Sequence, residues 1–405
     1  MKPITVVDAR MGRGKSSAAI RYMNRHKGTK KFLYITPYLN EVERICEQCD
    51  FDQSDSDYMS KSAELKVHMQ KGKNVAATHS LFYLMDEEAL DLVRSQNYSL
   101  IIDESIQAIE RLNVTDKDFA LIIEQLTEEG NGGALLWKDK DYSGRFTDYK
   151  EMADAGSLYH LDNALLNIMN PNLLRSFDEV FMLTYLFDGQ YQKAYLEFFG
   201  FDYRIIGVNR DADGYFFSDA PDDPPPIDYR ELIHIVDNEK MNRPGNGQYA
   251  LSKSWFSRRG YEQADIKSLR NNLKRFFQGI PNGDANTRLW TCFKDDQNKL
   301  VDCKSGRFRK NFLQVGARAT NEYKDRTDIA YMVNRFVDPN LMKFFAEKGI
   351  RLDSDCFALS EMLQWIWRSA IRDGRPINLY IPSKRMRDLL IHWIDDINRG
   401  GNEIV

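Results

Sequence analysis

Long apolar runs are missing from this 405-residue chain. No stretch approaches the ~18 to 20 apolar residues that a membrane-spanning helix needs. The N-terminus reaches Asp8 and Arg10 after only a few apolar positions, too soon for a secretory signal. A cytoplasmic address is the expectation. Cysteine is sparse: there are five, and Cys46 and Cys49 form the sole close pair, with no second pair at zinc-ribbon spacing. Reduced thiols without a metal role are expected. An excess of one charge is missing too, since 56 Lys and Arg face 60 Asp and Glu for a net charge of -4. The global basic footprint of a small nucleic-acid-binding domain is therefore lacking. A protein that holds a nucleic acid in one cleft would need only local cations, which KSGRFRK (304–310) could supply. Low-complexity tracts and repeats of 20 to 50 residues are absent, which excludes a solenoid.

What is present suits a globular α/β protein. With 42% hydrophobic and 29% charged residues, the chain can build the cores of roughly two or three domains. The first half alternates short apolar runs with segments of helical period: ITVVDA (4–9), FLYIT (32–36), NVAATH (74–79), SLIIDE (99–104) and EVFMLTY (179–185). Such a series predicts a parallel sheet flanked by helices, with chemistry at the carboxyl ends of the strands. The segment 106–177 is too long for an ordinary crossover and is expected to be a helical insertion. The acid- and proline-rich SDAPDDPPP (218–226) forbids a helix or central strand and predicts a linker at 218–230. A second α/β half follows over 231–405, with candidate strands IHIV (233–236), RLWTCF (288–293), FLQVG (312–316), IAYMVN (329–334) and INLYIP (377–382). The first domain is then 1–217.

The first candidate strand runs into Arg10, Met11, Gly12, Arg13, Gly14, Lys15, Ser16 and Ser17, and then a helix start. This is the setting a phosphate loop requires. Glycines let successive amides converge on phosphate oxygens at a helix N-terminus, Lys15 would reach the β- and γ-phosphates of ATP, and Ser16 would ligate Mg2+. Ala9 stands where the GxxxxGK[ST] pattern has its first glycine. Asp103 and Glu104 end the candidate strand SLIIDE (99–104); an aspartate there can hold Mg2+ and the neighbouring glutamate can polarise the attacking water. A solvated acidic turn is the plain alternative.

On these motifs the chain resembles superfamily 2 helicases. The alanine-first phosphate loop, with Gly12, Gly14, Lys15 and Ser16, is similar to that family's own. Ile35-Thr36-Pro37 and Ala77-Thr78-His79 look like its first two nucleic-acid-contacting motifs, and Leu183-Thr184-Tyr185 occupies the place of its coupling element. Ala319-Thr320-Asn321 resembles the motif touching both DNA and nucleotide, and Gln364 to Arg372 looks like its QxxxR...R motif. Within the superfamily, phage replication helicases and herpesvirus origin-binding helicases look closest. The resemblance covers almost the whole chain, except about 110–175 and 240–285. It implies two tandem RecA-like domains and an ATP-hydrolysing DNA helicase with Mg2+ as cofactor. DNA, single-stranded or forked, is the expected partner, with RNA as the other choice and replication proteins as further ones; for a phage protein the address is the host cytoplasm. Lys15, Asp103, Glu104, Gln364, Arg368 and Arg372 are the implied catalytic residues, and Thr36, Pro37, Thr78, His79, Thr320 and Asn321 the implied nucleic-acid contacts. If 364–372 is one helix, Arg368 and Arg372 share a face. Rival readings are a DNA-packaging or remodelling translocase and a small-molecule kinase. The first should carry an acidic nuclease cluster, and the second leaves 364–372 unexplained.

Overall fold

The computed structural model describes residues 2–55, 58–162, 164–222, 227–279, 284–301, 308–316 and 322–398. By contacts the chain divides into two units. One comprises Met1–Ala9, Gly14–Pro221 and Asp338–Leu352; the other comprises Arg10–Arg13, Asp222–Val337 and Asp353–Val405.

The first unit is built on a seven-stranded sheet. Its leading elements are β1 (Ile4–Asp8), α1 (Lys15–His26), β2 (Lys31–Thr36), α2 (Leu39–Cys49), α3 (Lys61–Gln70), β3 (Val75–Thr78), α4 (His79–Tyr83), α5 (Glu87–Gln96) and β4 (Tyr98–Asp103). The insertion then adds β5 (Ile109–Leu112), β6 (Thr127–Glu129), β7 (Leu135–Trp137), β8 (Leu158–Leu161) and β9 (Ala164–Ile168). The chain returns to the main sheet with β10 (Glu179–Thr184), β11 (Tyr203–Asp211) and β12 (Gly214–Ser218). Sheet order is β12-β11-β1-β10-β4-β2-β3, and every pairing is parallel except β11 with β12. All six residues of β4 are buried, as are the first four of β1, because helices cover both sheet faces; this is why these strands read as unbroken apolar runs. One face packs Val7, Ala18, Met23, Tyr34, Val42 and Ile101 together, and the other packs Ile4, Leu33, Leu90, Leu100 and Met182. Side chains set the helix starts: Ser60, Thr78 and Asp86 each accept a first-turn amide, of α3, α4 and α5 respectively.

Two expectations are corrected here. The insertion is not helical in the main: β5, β9 and β8 form an antiparallel sheet, and β6 with β7 a hairpin, beside the short helices Asp116–Leu121 and Thr147–Asp154. Its strands are only three to five residues long, too short to impose a visible period of two. The helix Pro339–Glu347, which lies within the 231–405 half, packs into the first unit, where Leu341, Phe344 and Phe345 join its core and Phe198 meets both phenylalanine rings.

The second unit has a four-stranded, wholly parallel sheet ordered β13-β16-β15-β14, from β13 (Ile233–Ile235), β14 (Arg288–Thr291), β15 (Asp328–Tyr331) and β16 (Ile377–Tyr380). The helices Ala264–Gln278 and Ser354–Ile366 contribute Leu269, Phe277, Leu363 and Trp365 to its buried interior. The expected strand at 312–316 is reduced to a single bridge between Trp290 and Phe312. The fold class read from the sequence, α/β with parallel sheets flanked by helices, is the one observed. Among the described residues no helix is long and apolar enough to cross a membrane.

Candidate nucleotide site

The parallel register places the ends of β1, β10 and β4 side by side: Asp8 pairs with Thr184, and Leu183 with Asp103. Between β1 and α1 the backbone turns at Gly12 (φ 78°) and Gly14 (φ 74°), conformations that disfavour any side chain. Gly14 is the N-cap of α1 and supplies no side-chain cap, as suits a helix N-terminus that receives an anion. Lys15 Nζ folds back to donate to the Ala9 carbonyl.

Across the sheet edge, Ser16 Oγ donates to Asp103 Oδ2 (3.1 Å), and the buried Tyr34 hydroxyl donates to the same oxygen (2.6 Å). Burial and then the charge of Glu104 push the Asp103 carboxyl up to about 6. Glu104 is exposed and holds a left-handed backbone (φ 66°), unusual for a residue with a long side chain. No cluster of three or more His, Cys, Asp or Glu that could hold a metal exists among the described residues. Two protein oxygens, Ser16 Oγ and an Asp103 carboxylate, fit Mg2+, which takes few protein ligands and completes its shell with phosphate and water.

Several contacts escaped the sequence reading. Asp8 accepts from the amides of Leu186 and Phe187, both at 3.0 Å, and so ties the end of β1 to the turn after β10. Burial pushes its carboxyl up to about 6, against those two amides and Lys15, which pull it down. Thr184 donates to Gln190 Oε1 (2.7 Å), and Gln190 Nε2 in turn donates to the Tyr185 carbonyl (2.8 Å). The hairpin β11–β12 presses the Tyr215 ring on Gly14, so closely that a Cβ there would lie 2.3 Å from it. Arg21 on α1 grips the same hairpin at Asp211 (2.6 and 2.8 Å) and at the Gly214 carbonyl (3.1 Å). Polar residues inside apolar strands and pairs almost 200 positions apart give no local signal.

The expected nucleic-acid contacts fare unevenly. Thr36 is fully buried at the end of β2, and His79 is buried with Nε2 donating to the Asp103 carbonyl (3.0 Å). Neither side chain is presented to an outside phosphate, because both fill the space beneath the strand ends. Thr78 Oγ1 accepts from Leu81 N (3.3 Å) as the cap of α4, and Pro37 is half-buried. Thr320 and Asn321 lie outside the described residues.

In the second unit, Gln364 sits in the last turn of the helix Ser354–Ile366 and donates to Ser360 Oγ (3.3 Å). The helix ends there, before Arg368, and Arg372 belongs to a separate 3-10 turn, Ala370–Asp373. The shared helical face expected for the two arginines is therefore not formed. The Ile366 carbonyl accepts from both the amide (3.0 Å) and the hydroxyl (2.7 Å) of Ser369, while buried Trp365 and Trp367 anchor the terminus, the latter against Trp393 and Tyr229. Arg368 is half-buried and Arg372 exposed.

Fold and site together define an α/β protein with a strand, glycine loop and helix of phosphate-loop form next to a strand ending in acids. The chain belongs to the YonV family. It is 35% identical over 420 residues to the SPbeta prophage-derived protein YonV of Bacillus subtilis (strain 168), across 98% of this chain and all of that protein. Residues 227–394 match the YonV C-terminal Rossmann-like domain, and residues 109–168, the inserted β-rich segment, match the YonV middle domain. Among solved structures, an apo XPD is similar at 13% identity with a TM-score of 0.48, covering 99% of this chain and 96% of that one. The S. tokodaii Xpd4 structure is similar at 12% identity with a TM-score of 0.46, covering 96% and 94%. Likeness of that degree says nothing of activity.

Proposed function

We propose that this chain is an ATP-hydrolysing, nucleic-acid-dependent motor, a helicase or translocase whose nucleotide binds at the loop between β1 and α1. The observation that supports this reading best is the meeting of Ser16, from the glycine loop, with the buried Asp103 at the end of β4. In the proposed chemistry, amides from Arg10 to Ser17 cradle the phosphates and Lys15 leaves the Ala9 carbonyl for the β- and γ-phosphates. Ser16 and Asp103 would hold Mg2+, which when bound supplies positive charge to the phosphate oxygens. Glu104 orients the attacking water. Arg368 and Arg372 are proposed to neutralise charge on the transferring phosphoryl group, with Gln364 beside them, as the QxxxR...R resemblance implies.

Asp8 is proposed as a mechanical outlet of hydrolysis, since its carboxyl feels the Lys15 charge and holds the amides of Leu186 and Phe187 in the turn after β10. The nucleic acid is proposed to be single-stranded or forked DNA. Thr36 and His79 are withdrawn as side-chain donors, which leaves the main chain after β2 and β3 together with Pro37, Thr78, Thr320 and Asn321. The prophage-derived relative favours a phage setting and hence phage-type replication in the host cytoplasm.

Steady-state ATP hydrolysis with and without single-stranded DNA, for the native chain, Lys15→Ala and Arg368→Ala, tests this reading. DNA should raise turnover severalfold and both substitutions should abolish it. Turnover indifferent to every nucleic acid offered would overturn the motor reading.

A further inference from the structure

We propose that Tyr34 is the positioning residue of Asp103, deciding which carboxylate oxygen is presented to a nucleotide-bound divalent cation; the inference rests on the nucleotide-site reading above. Tyr34 lies in the middle of β2, paired with Ile101 of β4 and packed among Val7, Ala76 and Ile101. A phenylalanine would fill that apolar space equally well. Burying a phenol there is costly unless its hydroxyl is bonded, and the hydroxyl is bonded to Asp103 Oδ2 at 2.6 Å.

The consequence follows from counting lone pairs. A carboxylate oxygen offers about two acceptor positions, and Oδ2 receives two donors, Tyr34 and Ser16. Oδ1 accepts from no described residue, so it is the oxygen left for a cation or its water shell. Ser16, spending its one proton on Oδ2, keeps its own lone pairs for the same purpose. With only the Ser16 contact, at 3.1 Å, the carboxylate could turn about its terminal bond and exchange its two oxygens. The phenol is thus the constraint that orients it.

The test is equilibrium binding of a fluorescent ADP analogue to the full chain, in Mg2+ and in EDTA, for the native protein and Tyr34→Phe. A merely structural role would weaken binding alike in both conditions. Positioning through Asp103 leaves the EDTA affinity within about twofold while the enhancement by Mg2+ falls roughly tenfold, the scale of one hydrogen bond to a charged group. An unchanged enhancement in Tyr34→Phe, with the native chain binding normally, overturns this inference and leaves the nucleotide site standing. A native chain that binds no nucleotide in either condition overturns both. The same comparison between Asp103→Asn and the double variant with Tyr34→Phe needs no buried charge to be tolerated. The two should show equal enhancement, and a further loss in the double variant would show that Tyr34 does not act through Asp103.

Discussion

Gly12 and Gly14 share one backbone conformation but not one environment, and that contrast yields a quantitative prediction. Both have φ near 75° (78° and 74°), so an alanine at either pays roughly 1–2 kcal/mol for a left-handed L-residue. At Gly12 a new Cβ would meet nothing within 4 Å, and the cost should end there. At Gly14 it would lie 2.3 Å from the Tyr215 ring, which Arg21 holds in place through Asp211 and Gly214. Overpacking of this kind adds about 1–3 kcal/mol, for a total of roughly 2–5 kcal/mol. Removing the ring should remove that increment, so Gly14→Ala measured in a Tyr215→Ala background should cost no more than Gly12→Ala. The non-additivity is then about 1–3 kcal/mol. Urea unfolding followed by circular dichroism gives the sums, and amide hydrogen exchange along α1 localises them to the start of that helix. Equal costs at the two glycines, or a Gly14→Ala cost that ignores Tyr215→Ala, would refute the claim that the hairpin braces the loop.

Other outcomes follow from the same geometry. Asp8 and Asp103 titrate near 6 when folded against an ordinary value of 3.8, so the folded chain binds more protons between those values. Their contribution to stability is complete below about pH 4 and is lost as pH rises through about 6, on the order of 3 kcal/mol for each carboxyl. Urea midpoints measured from pH 4 to 7 should show it, and Asp8→Asn with Asp103→Asn should flatten the profile; an unaltered slope would count against the assignment. Arg368→Ala and Arg372→Ala should leave nucleotide affinity within about twofold while reducing turnover by 10³-fold or more, the range for a charge-stabilising arginine. Equal losses in affinity and turnover would instead mark both arginines as structural.

The sequence by itself determined the α/β class, because parallel strands buried on both faces must be unbroken apolar runs, and ITVVD and SLIID are such runs. It also determined the glycine loop, since a backbone that turns left-handed twice within three residues demands glycine at 12 and 14. Short elements were not legible: strands of three to five residues in the insertion show no period, and the helix before Arg368 stops at Ile366, although a shared face for Arg368 and Arg372 needs it to continue. Tertiary structure alone decided which polar groups work together. Tyr34 and Asp8 look like core and strand end in the sequence, and Thr36 and His79 look like surface donors. Only the lateral order of the strands brings the first pair to the site and buries the second, because neighbours across a parallel sheet are set by crossovers far longer than any local pattern.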